Sequence, residues 1–120
     1  MKREEEIVNA QITDTFLGRE DHGILTFYVY MEFQGGGVRV GGYALDRAGK
    51  EYLAEGFGAI SEIIRVVGAD SWEDLRGRFL RVKSRGLSQP VTEIGNLMHN
   101  DWFDIAEYFK EVRKKYEVAK

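Results

Sequence analysis

Apolar and polar residues alternate through two segments near the start of the chain, residues 6–16 and residues 24–34. A period of two is typical of a strand whose two faces meet different environments. The two segments therefore predict a β-hairpin. Its connection, residues 17–23, is longer than a tight turn requires, and loops of that kind often carry function.

The second of these strands has aromatic residues on both faces. Phe27 and Phe33 fall on one side of the alternation, whereas Tyr28 and Tyr30 fall on the other. Neither side is therefore predicted to face water alone. We expect a helix or a second subunit to cover both faces.

Glycine is concentrated in the middle of the chain, with ten of the fourteen glycines between Gly18 and Gly58. Inside strand-like sequence glycine marks tight turns, bulges, or places where a ligand or a second backbone comes close. A third strand is predicted over residues 38–45, interrupted at Gly41 and Gly42 by a bulge or a close backbone approach. The pattern points to binding before catalysis.

The apolar spacing changes to a helical one from about residue 51. The predicted buried stripe consists of Leu53, Phe57, Ile60, Ile64 and Val67. Gly68 follows where a C-cap glycine belongs. Gly56 and Gly58 each cost about 1 kcal/mol relative to alanine inside a helix. They are either tolerated imperfections or a sign of tight packing against another helix or the sheet.

The second half of the chain predicts two more strands and a second main helix. Ser71 begins a short helical turn, and strands are expected over residues 79–85 and 91–98. Asp104 caps the last helix, whose predicted buried stripe is Ile105, Phe109, Val112 and Tyr116. The order βββαββα predicts an α+β fold with an antiparallel sheet, in one domain spanning residues 1–120.

Composition and charge exclude several classes of protein. The absence of cysteine excludes disulfides and thiolate catalysis, and fits a reducing compartment such as the cytoplasm. No apolar run approaches the ~20 residues of a membrane span. A net charge of −3 argues against general binding of polymeric nucleic acid. Five bases between residues 76 and 85 are interpreted either as phosphate contacts or as charges on a solvated edge strand.

The residues required for catalysis do not form a convincing set. His22 and His99 lie far apart and belong to no metal-binding motif, so neither a metal nor another cofactor is expected. Asp21 and His22 could form an acid–base pair, but adjacent residues of an extended chain point to opposite faces. A loop-shaping Asp beside a hydrogen-bonded His is the favoured interpretation. The glycine-rich residues 35–42 lack the Gly-Lys-Ser/Thr ending of a phosphate loop.

Four blocks of the sequence resemble the phage anti-Thoeris sponge family. They are residues 17–26 (LGREDHGILT), residues 41–46 (GGYALD), residues 72–77 (WEDLRG), and residues 94–96 with 101–104 (IGN and DWFD). The resemblance spans residues 8 to about 109. Members of this family bind and sequester cyclic ADP-ribose isomers, among them glycocyclic ADP-ribose, that host TIR-domain enzymes produce. They do no chemistry on the ligand.

The resemblance implies a site for this ligand as well as a fold. A cyclic ADP-ribose isomer presents a purine, two riboses and a pyrophosphate, which call for an aromatic platform, polar partners, and arginines or glycine amides. The implied residues are Trp102 and Phe103 for stacking, Asn96 for a base or ribose edge, Arg19 and His22 from the hairpin loop, Tyr43 on the glycine-rich floor, and Arg113 for phosphate.

Structural roles stand beside these ligand roles. Trp102 and Phe103 would equally serve to pin the last helix to the sheet, and Asn96 to satisfy a strand end. His99 and Asn100 depart from the family pattern, in which a longer basic side chain is expected, so the contacts near them stay open.

The resemblance further implies a homodimer with ligand pockets at its interface, in the host cytoplasm. Some members form hexamers, as trimers of dimers, and hold cyclic oligonucleotides at a second site. Nanomolar binding, about −12 kcal/mol, requires a largely enclosed ligand, which a fold of this size scarcely provides alone. Two alternatives remain: a nucleotide-processing enzyme using His22 with Asp21 or Asp46, and a structural or nucleic-acid-associated phage protein using residues 76–85.

Overall fold

The computed structural model describes residues 5–20, 22–46, 53–86 and 89–118, and within these ranges six strands form one antiparallel sheet. The strands are β1 (Glu6–Arg19), β2 (Leu25–Phe33), β3 (Gly36–Gly41), β4 (Phe79–Ser84), β5 (Glu93–Gly95) and β6 (Trp102–Asp104). Their order across the sheet is β3-β2-β1-β4-β5-β6. The helices are α1 (Leu53–Val67), a 3-10 turn (Glu73–Leu75) and α2 (Ile105–Val118). The predicted α+β class with an antiparallel sheet is confirmed.

The long strand β1 joins the two halves of the sheet. Its first half pairs with β4 and its second half with β2, and a bulge between Ile12 and Asp14 lies near the change of partner. A bulge bends a strand and increases its twist. A hydrogen bond also joins the two halves of the sheet outside the strand ladder, because the N–H of Val91, just before β5, donates to the carbonyl of Arg39 in β3 at 3.2 Å.

One face of the sheet is dry and packs against both helices. Alternate residues of the strands join the buried residues of α1 and α2 in one apolar cluster. Phe27 is fully buried in it, with ring centroids of Tyr43, Trp72 and Phe109 between 6.2 and 6.5 Å away. The predicted stripe of α2 is confirmed at its first three positions, which are buried, and its fourth, Tyr116, is half-buried.

Helix α1 meets the core with a face slightly rotated from the predicted one. Its buried residues are Gly56, Ala59, Ile60, Ile63, Val66 and Val67. Phe57, assigned to the stripe by its spacing, is 67% exposed. The helix instead turns Gly56 inward, where an added Cβ would overlap the Leu45 carbonyl oxygen. Of the two interpretations of this glycine, the structure favours tight packing, although against the segment after β3 instead of another helix or the sheet. The predicted start near residue 51 lies outside the described residues, and Gly68, with φ +86°, ends the helix as expected.

Strand β3 ends at Gly41, four residues earlier than predicted. Gly41 has φ +131° and Gly42 has φ +85°, a backbone region that favours glycine. An added Cβ at Gly41 would also overlap the Phe27 carbonyl oxygen, which confirms the predicted close backbone approach. The chain still follows β2 after this break, since the Leu45 N–H donates to the Leu25 carbonyl at 2.8 Å.

The prediction for residues 91–98 was too long, and the short strand β6 was not predicted. Asn96 ends β5, because its side-chain Oδ1 accepts the N–H groups of Met98 and His99 at 2.9 Å and so reverses the chain. Strand β6 then runs for three residues directly into α2, too few to show an alternation. The cap of α2 is as predicted, since Asp104 Oδ1 accepts the Glu107 N–H at 3.0 Å.

Candidate functional site

The second face of the sheet, which we call the open face, is covered by neither of the helices described above. Its aromatic side chains are Phe16, Tyr28, Tyr30, Phe79 and Trp102. Two of these rings make cation–π contacts. The guanidinium carbon of Arg39 lies 4.7 Å from the Tyr28 ring centroid, and two bases lie near the ring of Trp102. Of the two covers expected from the sequence, a helix or a second subunit, the described helices of this protomer do not cover the open face.

Trp102 forms a flat aromatic surface at the β6 edge of the open face. Its indole lies over Gly95 of the neighbouring strand. The guanidinium carbon of Arg81 and the Nζ of Lys83 are 4.9 and 5.0 Å from the ring centroid. At these distances a cation is attracted to the ring's electrons. The indole is half-exposed, so it remains accessible to a ligand.

A charged cleft of about 470 Å³, which we call the end cleft, opens where the ends of β4 and β5 meet the first turns of α2. Its bases are Lys83, Arg85, Lys110 and Arg113, and its carboxylates are Glu5, Glu93, Asp104 and Glu107. The volume is within the range of small-molecule sites. Lys83 belongs both to the end cleft and to the surroundings of Trp102, and its Nζ is 3.0 Å from Glu93. The aromatic surface and the cleft are therefore continuous.

Three further clefts among the described residues are lined by fewer bases than the end cleft. An apolar groove of about 150 Å³ is lined by Leu17, Leu25, Leu45, Leu53, Gly56, Phe57 and Ile60. A larger cleft of about 570 Å³ over β2 and β3 has a single base, Arg39, and a single carboxylate, Glu32. A cleft of about 450 Å³ beside α2 is rich in carboxylates, with Lys115 as its base.

Arg19 and His22, implied by the sequence to reach the ligand, lie at the β1–β2 connection. The Arg19 guanidinium donates to the Gly23 carbonyl at 2.7 Å and lies 3.5 Å from the Asp46 carboxylate. His22 is 85% exposed, with Nδ1 3.5 Å from Glu20. These contacts stay within the hairpin loop and the segment after β3, away from the end cleft.

Tyr43 and Phe103 have roles in the core. The Tyr43 ring stacks on Phe109 of α2 with centroids 4.7 Å apart, and burial raises the pKa of its hydroxyl. Phe103 is buried and meets Tyr108 edge-on at 5.3 Å. Trp102 and Phe103, implied as a stacking pair, point to opposite faces of β6, so only Trp102 is available to a ligand. Phe103 instead joins the last helix to the sheet, the structural alternative considered for it.

Asn96 is engaged by the protein itself. Its Nδ2 donates to the Val66 carbonyl at 2.9 Å, and its Oδ1 accepts the two N–H groups that form the turn after β5. This is the strand-end role considered for it from the sequence. Of the seven residues implied for ligand binding, Trp102 and Arg113 are the two that border the end cleft and its aromatic surface.

Sequence reasoning did not assign Arg81, Lys83 and Gly95 to the site. The alternation of β4 places Arg81 and Lys83 on the same face, and this signal was present within the run of bases at residues 76–85. Trp102 lies on β6, which the sequence did not reveal, so nothing in the sequence paired these bases with an aromatic ring.

Every member of that basic run is engaged within the described chain. The ion pairs are Arg76 with Asp14, Arg78 with Asp74, Lys83 with Glu93, and Arg85 with Glu5. Arg81 donates instead to two backbone carbonyls, those of Asn96 and His99. The local charge is therefore largely compensated, which weakens the case for a surface that binds polynucleotides.

Of the residues named as candidates for catalysis, His22 and Asp46 are the two that the described ranges contain. Asp21, the proposed partner of His22, lies outside the described residues. Asp46 is buried, and its Oδ1 accepts the Leu25 N–H at 3.3 Å, so this carboxylate braces the loop. Among the described residues, no group of three or more His, Asp or Glu side chains could hold a metal ion. None of the helices seen in them is long and apolar enough to cross a membrane.

Similarity to known proteins does not identify this site. The chain matches no protein-family model, no curated protein and no solved structure. The interpretation of the end cleft therefore rests on its geometry and on the four sequence blocks described above.

Proposed function

We propose that the protein binds and sequesters a cyclic ADP-ribose isomer, of the glycocyclic ADP-ribose type, made by host TIR-domain enzymes. Bound in this way the signal never reaches its effector, and a phage evades Thoeris immunity in the host cytoplasm. The observation that carries the proposal is the continuity of an accessible indole, Trp102, with a nucleotide-sized cleft lined by four bases.

The chemistry of the end cleft suits each part of such a ligand. Its exposed bases Lys110 and Arg113 offer charge-assisted hydrogen bonds to a pyrophosphate. Its carboxylates, such as Glu93 and Asp104, accept hydrogen bonds from ribose hydroxyls. The Trp102 indole offers a face on which a purine stacks. Mixed charge also fits a ligand that is part anion and part polyol.

Enclosure of the ligand requires a second subunit. Arg113, Lys110 and Glu107 are exposed, so one protomer leaves the outer side of the end cleft open to water. The aromatic side chains of the open face, Tyr28 and Tyr30 among them, provide surface for an interface. A homodimer would bury both the outer side of the end cleft and the aromatic residues of the open face. Assembly into a hexamer would be a further step. A cyclic oligonucleotide at a second site remains part of the same proposal.

Binding without turnover is supported by the surroundings of the candidate catalytic residues. His22 is exposed on a loop, and Asp46 is occupied by the backbone and by Arg19. General acid–base catalysis needs such groups within hydrogen-bond reach of a reacting atom in a cleft. The residues of the end cleft include no histidine.

The proposal is tested by calorimetry with a TIR-generated cyclic ADP-ribose isomer, followed by heat denaturation and mass analysis of the released ligand. We expect nanomolar binding and ligand of unchanged mass. Trp102→Ala should weaken binding about tenfold or more, since stacking of one base is worth about 1–3 kcal/mol. Phe57→Ala is the matched control, an exposed aromatic residue of α1 that lies outside both the open face and the end cleft, and should bind like the wild type.

Two results would contradict the proposal. If the protein does not bind this isomer, the proposed ligand is wrong. If the mass of the released ligand has changed, the protein acts as an enzyme, and His22→Ala is the first variant to examine. Light scattering at micromolar concentration tests the interface separately, because a monodisperse monomer there would exclude a pocket shared between subunits.

A further inference from the structure

Gly95, Arg81 and Trp102 form one row across three neighbouring strands. In the register of the sheet, Arg81 of β4 is opposite Gly95 of β5, and Gly95 is opposite Trp102 of β6. All three positions belong to the open face. Because the central position has no side chain, the indole lies down across β5 toward Arg81.

The fit between the glycine and the indole is close. A Cβ added to Gly95 would lie 2.6 Å from the indole Cδ2 and Cε3 atoms, closer than such atoms approach in proteins. Aromatic side chains that cover a glycine on the neighbouring strand are a known way to stabilise a sheet. The indole could not keep this position if residue 95 had any side chain.

The two cations beside the ring are themselves fixed. Arg81 donates through Nε to the Asn96 carbonyl and through an Nη to the His99 carbonyl, both at 2.7 Å. Lys83 is held by Glu93 at 3.0 Å. The ring therefore rests on a glycine floor next to two anchored charges, and its orientation is set before any ligand arrives.

We propose that Gly95 is the positioning residue of the ligand site: by having no side chain it holds Trp102 flat and so presents a stacking surface for a planar conjugated ring whose anionic group reaches the bases of the end cleft. The ligand part of this inference rests on the proposed function. The positioning part concerns the free protein alone.

Gly95→Ala tests the positioning without disturbing the backbone. The φ angle of Gly95 is not in the left-handed region, so alanine fits the strand. The experiment measures the indole Nε1–H resonances of the free protein. The Trp102→Phe variant assigns the resonance of Trp102, and Trp72, which packs against the core, serves as the internal reference. We expect the Trp102 resonance to shift and its fluorescence quenching by acrylamide to increase, with Trp72 unchanged. Gly37→Ala is the control variant, since a Cβ at this exposed strand glycine would make only an ordinary contact, at 3.9 Å from the Met31 carbonyl oxygen.

A second variant guards against misfolding of the first. Arg81→Lys keeps the charge but lacks the planar guanidinium whose Nε and Nη reach the Asn96 and His99 carbonyls, so it should shift the Trp102 resonance in a folded protein to a smaller extent. With the cyclic ADP-ribose isomer as probe, Gly95→Ala should weaken binding by the same factor as Trp102→Ala, about tenfold or more, and the double variant should be no weaker.

The outcomes separate the two proposals. An unmoved Trp102 resonance in both variants would overturn the positioning role whatever the ligand is. A moved indole with wild-type affinity would overturn the link between its orientation and binding. If the wild type does not bind the probe, the proposed function fails, and the resonances of the free protein still decide the role of Gly95.

Discussion

Neighbouring residues of the same strands build two faces that are held in different ways. On the covered face Phe27 is fully buried among the aromatic rings of the helical layer. On the open face the next residue, Tyr28, is half-buried, and its ring lies between Phe16, Tyr30 and the Arg39 guanidinium. The covered face is held by apolar packing, whereas the open face is held by ring contacts, cations and glycine floors.

This difference explains why the candidate site lies on and beside the open face. A close-packed interior has no room for a ligand, and its side chains are fixed by their neighbours. The open face instead presents rings and charges that are oriented by backbone carbonyls and carboxylates, as Arg81 and Lys83 are. Orientation without burial is what a binding surface requires.

The largest effect should come from truncating the covered face. Phe27→Ala removes a fully buried ring, and we expect it to lower the free energy of unfolding by about 3–5 kcal/mol. Tyr28→Ala, the matched variant one residue along, should cost less than half as much because its ring is half-exposed. Urea denaturation of both variants at low protein concentration measures the contrast.

Equal losses would break the comparison. They would mean that Tyr28 is as buried in solution as Phe27, as expected only if a second subunit covers the open face at that concentration. A loss for Tyr28→Ala that grows with protein concentration would identify such an interface.

Much of the covered face was predictable, because apolar alternation is a property of the sequence itself. The strands around Phe27 and the stripe of α2 were predicted correctly for this reason. The open face was less accessible to such reasoning. The position of Trp102 depends on β6, three residues without a pattern, and on the empty space over Gly95, which becomes visible only when the strands are paired.

The candidate site shows the same limit. Asn96 and Phe103 belong to residue types that bind nucleotides, yet one shapes a turn and the other fills the core. Composition cannot separate these roles, because a hydrogen bond to the backbone and one to a ligand use the same atoms. Register and burial do separate them, and they favour Trp102, Lys83 and Arg113.

A smaller loss of stability is expected at a position where the backbone conformation, instead of side-chain packing, requires the native residue. Gly41→Ala forces an L-residue to φ +131° and brings its Cβ into the Phe27 carbonyl, so we expect a loss of about 1–3 kcal/mol or more. Gly37 in the same strand has an ordinary φ, and an added Cβ would make only an ordinary contact with the Met31 carbonyl oxygen at 3.9 Å, so Gly37→Ala should leave the melting temperature unchanged. Similar melting temperatures for the two variants would show that the end of β3 relaxes easily.

The smallest effect concerns the contact between α1 and α2 at the edge of the helical layer. Charged side chains hold this contact, as they hold parts of the open face. Glu55 of α1 accepts hydrogen bonds from Lys115 Nζ and the Tyr116 hydroxyl of α2, both at 2.8 Å, and these contacts, Lys115 first, hold the pKa of its carboxyl below its ordinary value of 4.5. A carboxyl whose pKa is lower when folded stabilises the fold above its unfolded pKa, and this contribution is lost as pH falls through the folded value.

Glu55→Gln should therefore reduce the loss of stability on acidification below about pH 5. Above that pH the dependence of stability on pH should change little. The effect should be small, because Lys115 is 66% exposed. Denaturant titrations between neutral and acid pH measure it, with Glu111→Gln, which removes an exposed pair with Lys114 on α2, as the control. The loss of stability in acid will not vanish, since three more carboxyls have lowered pKa values: Asp14 through the Thr15 N–H and then Arg76, Asp74 through Arg78, and Asp101 through Arg65. An identical change of the free energy of unfolding with pH for Glu55→Gln and the wild type would show that packing alone joins α1 to α2 over the covered face. Charge would then orient side chains in this protein only on the open face.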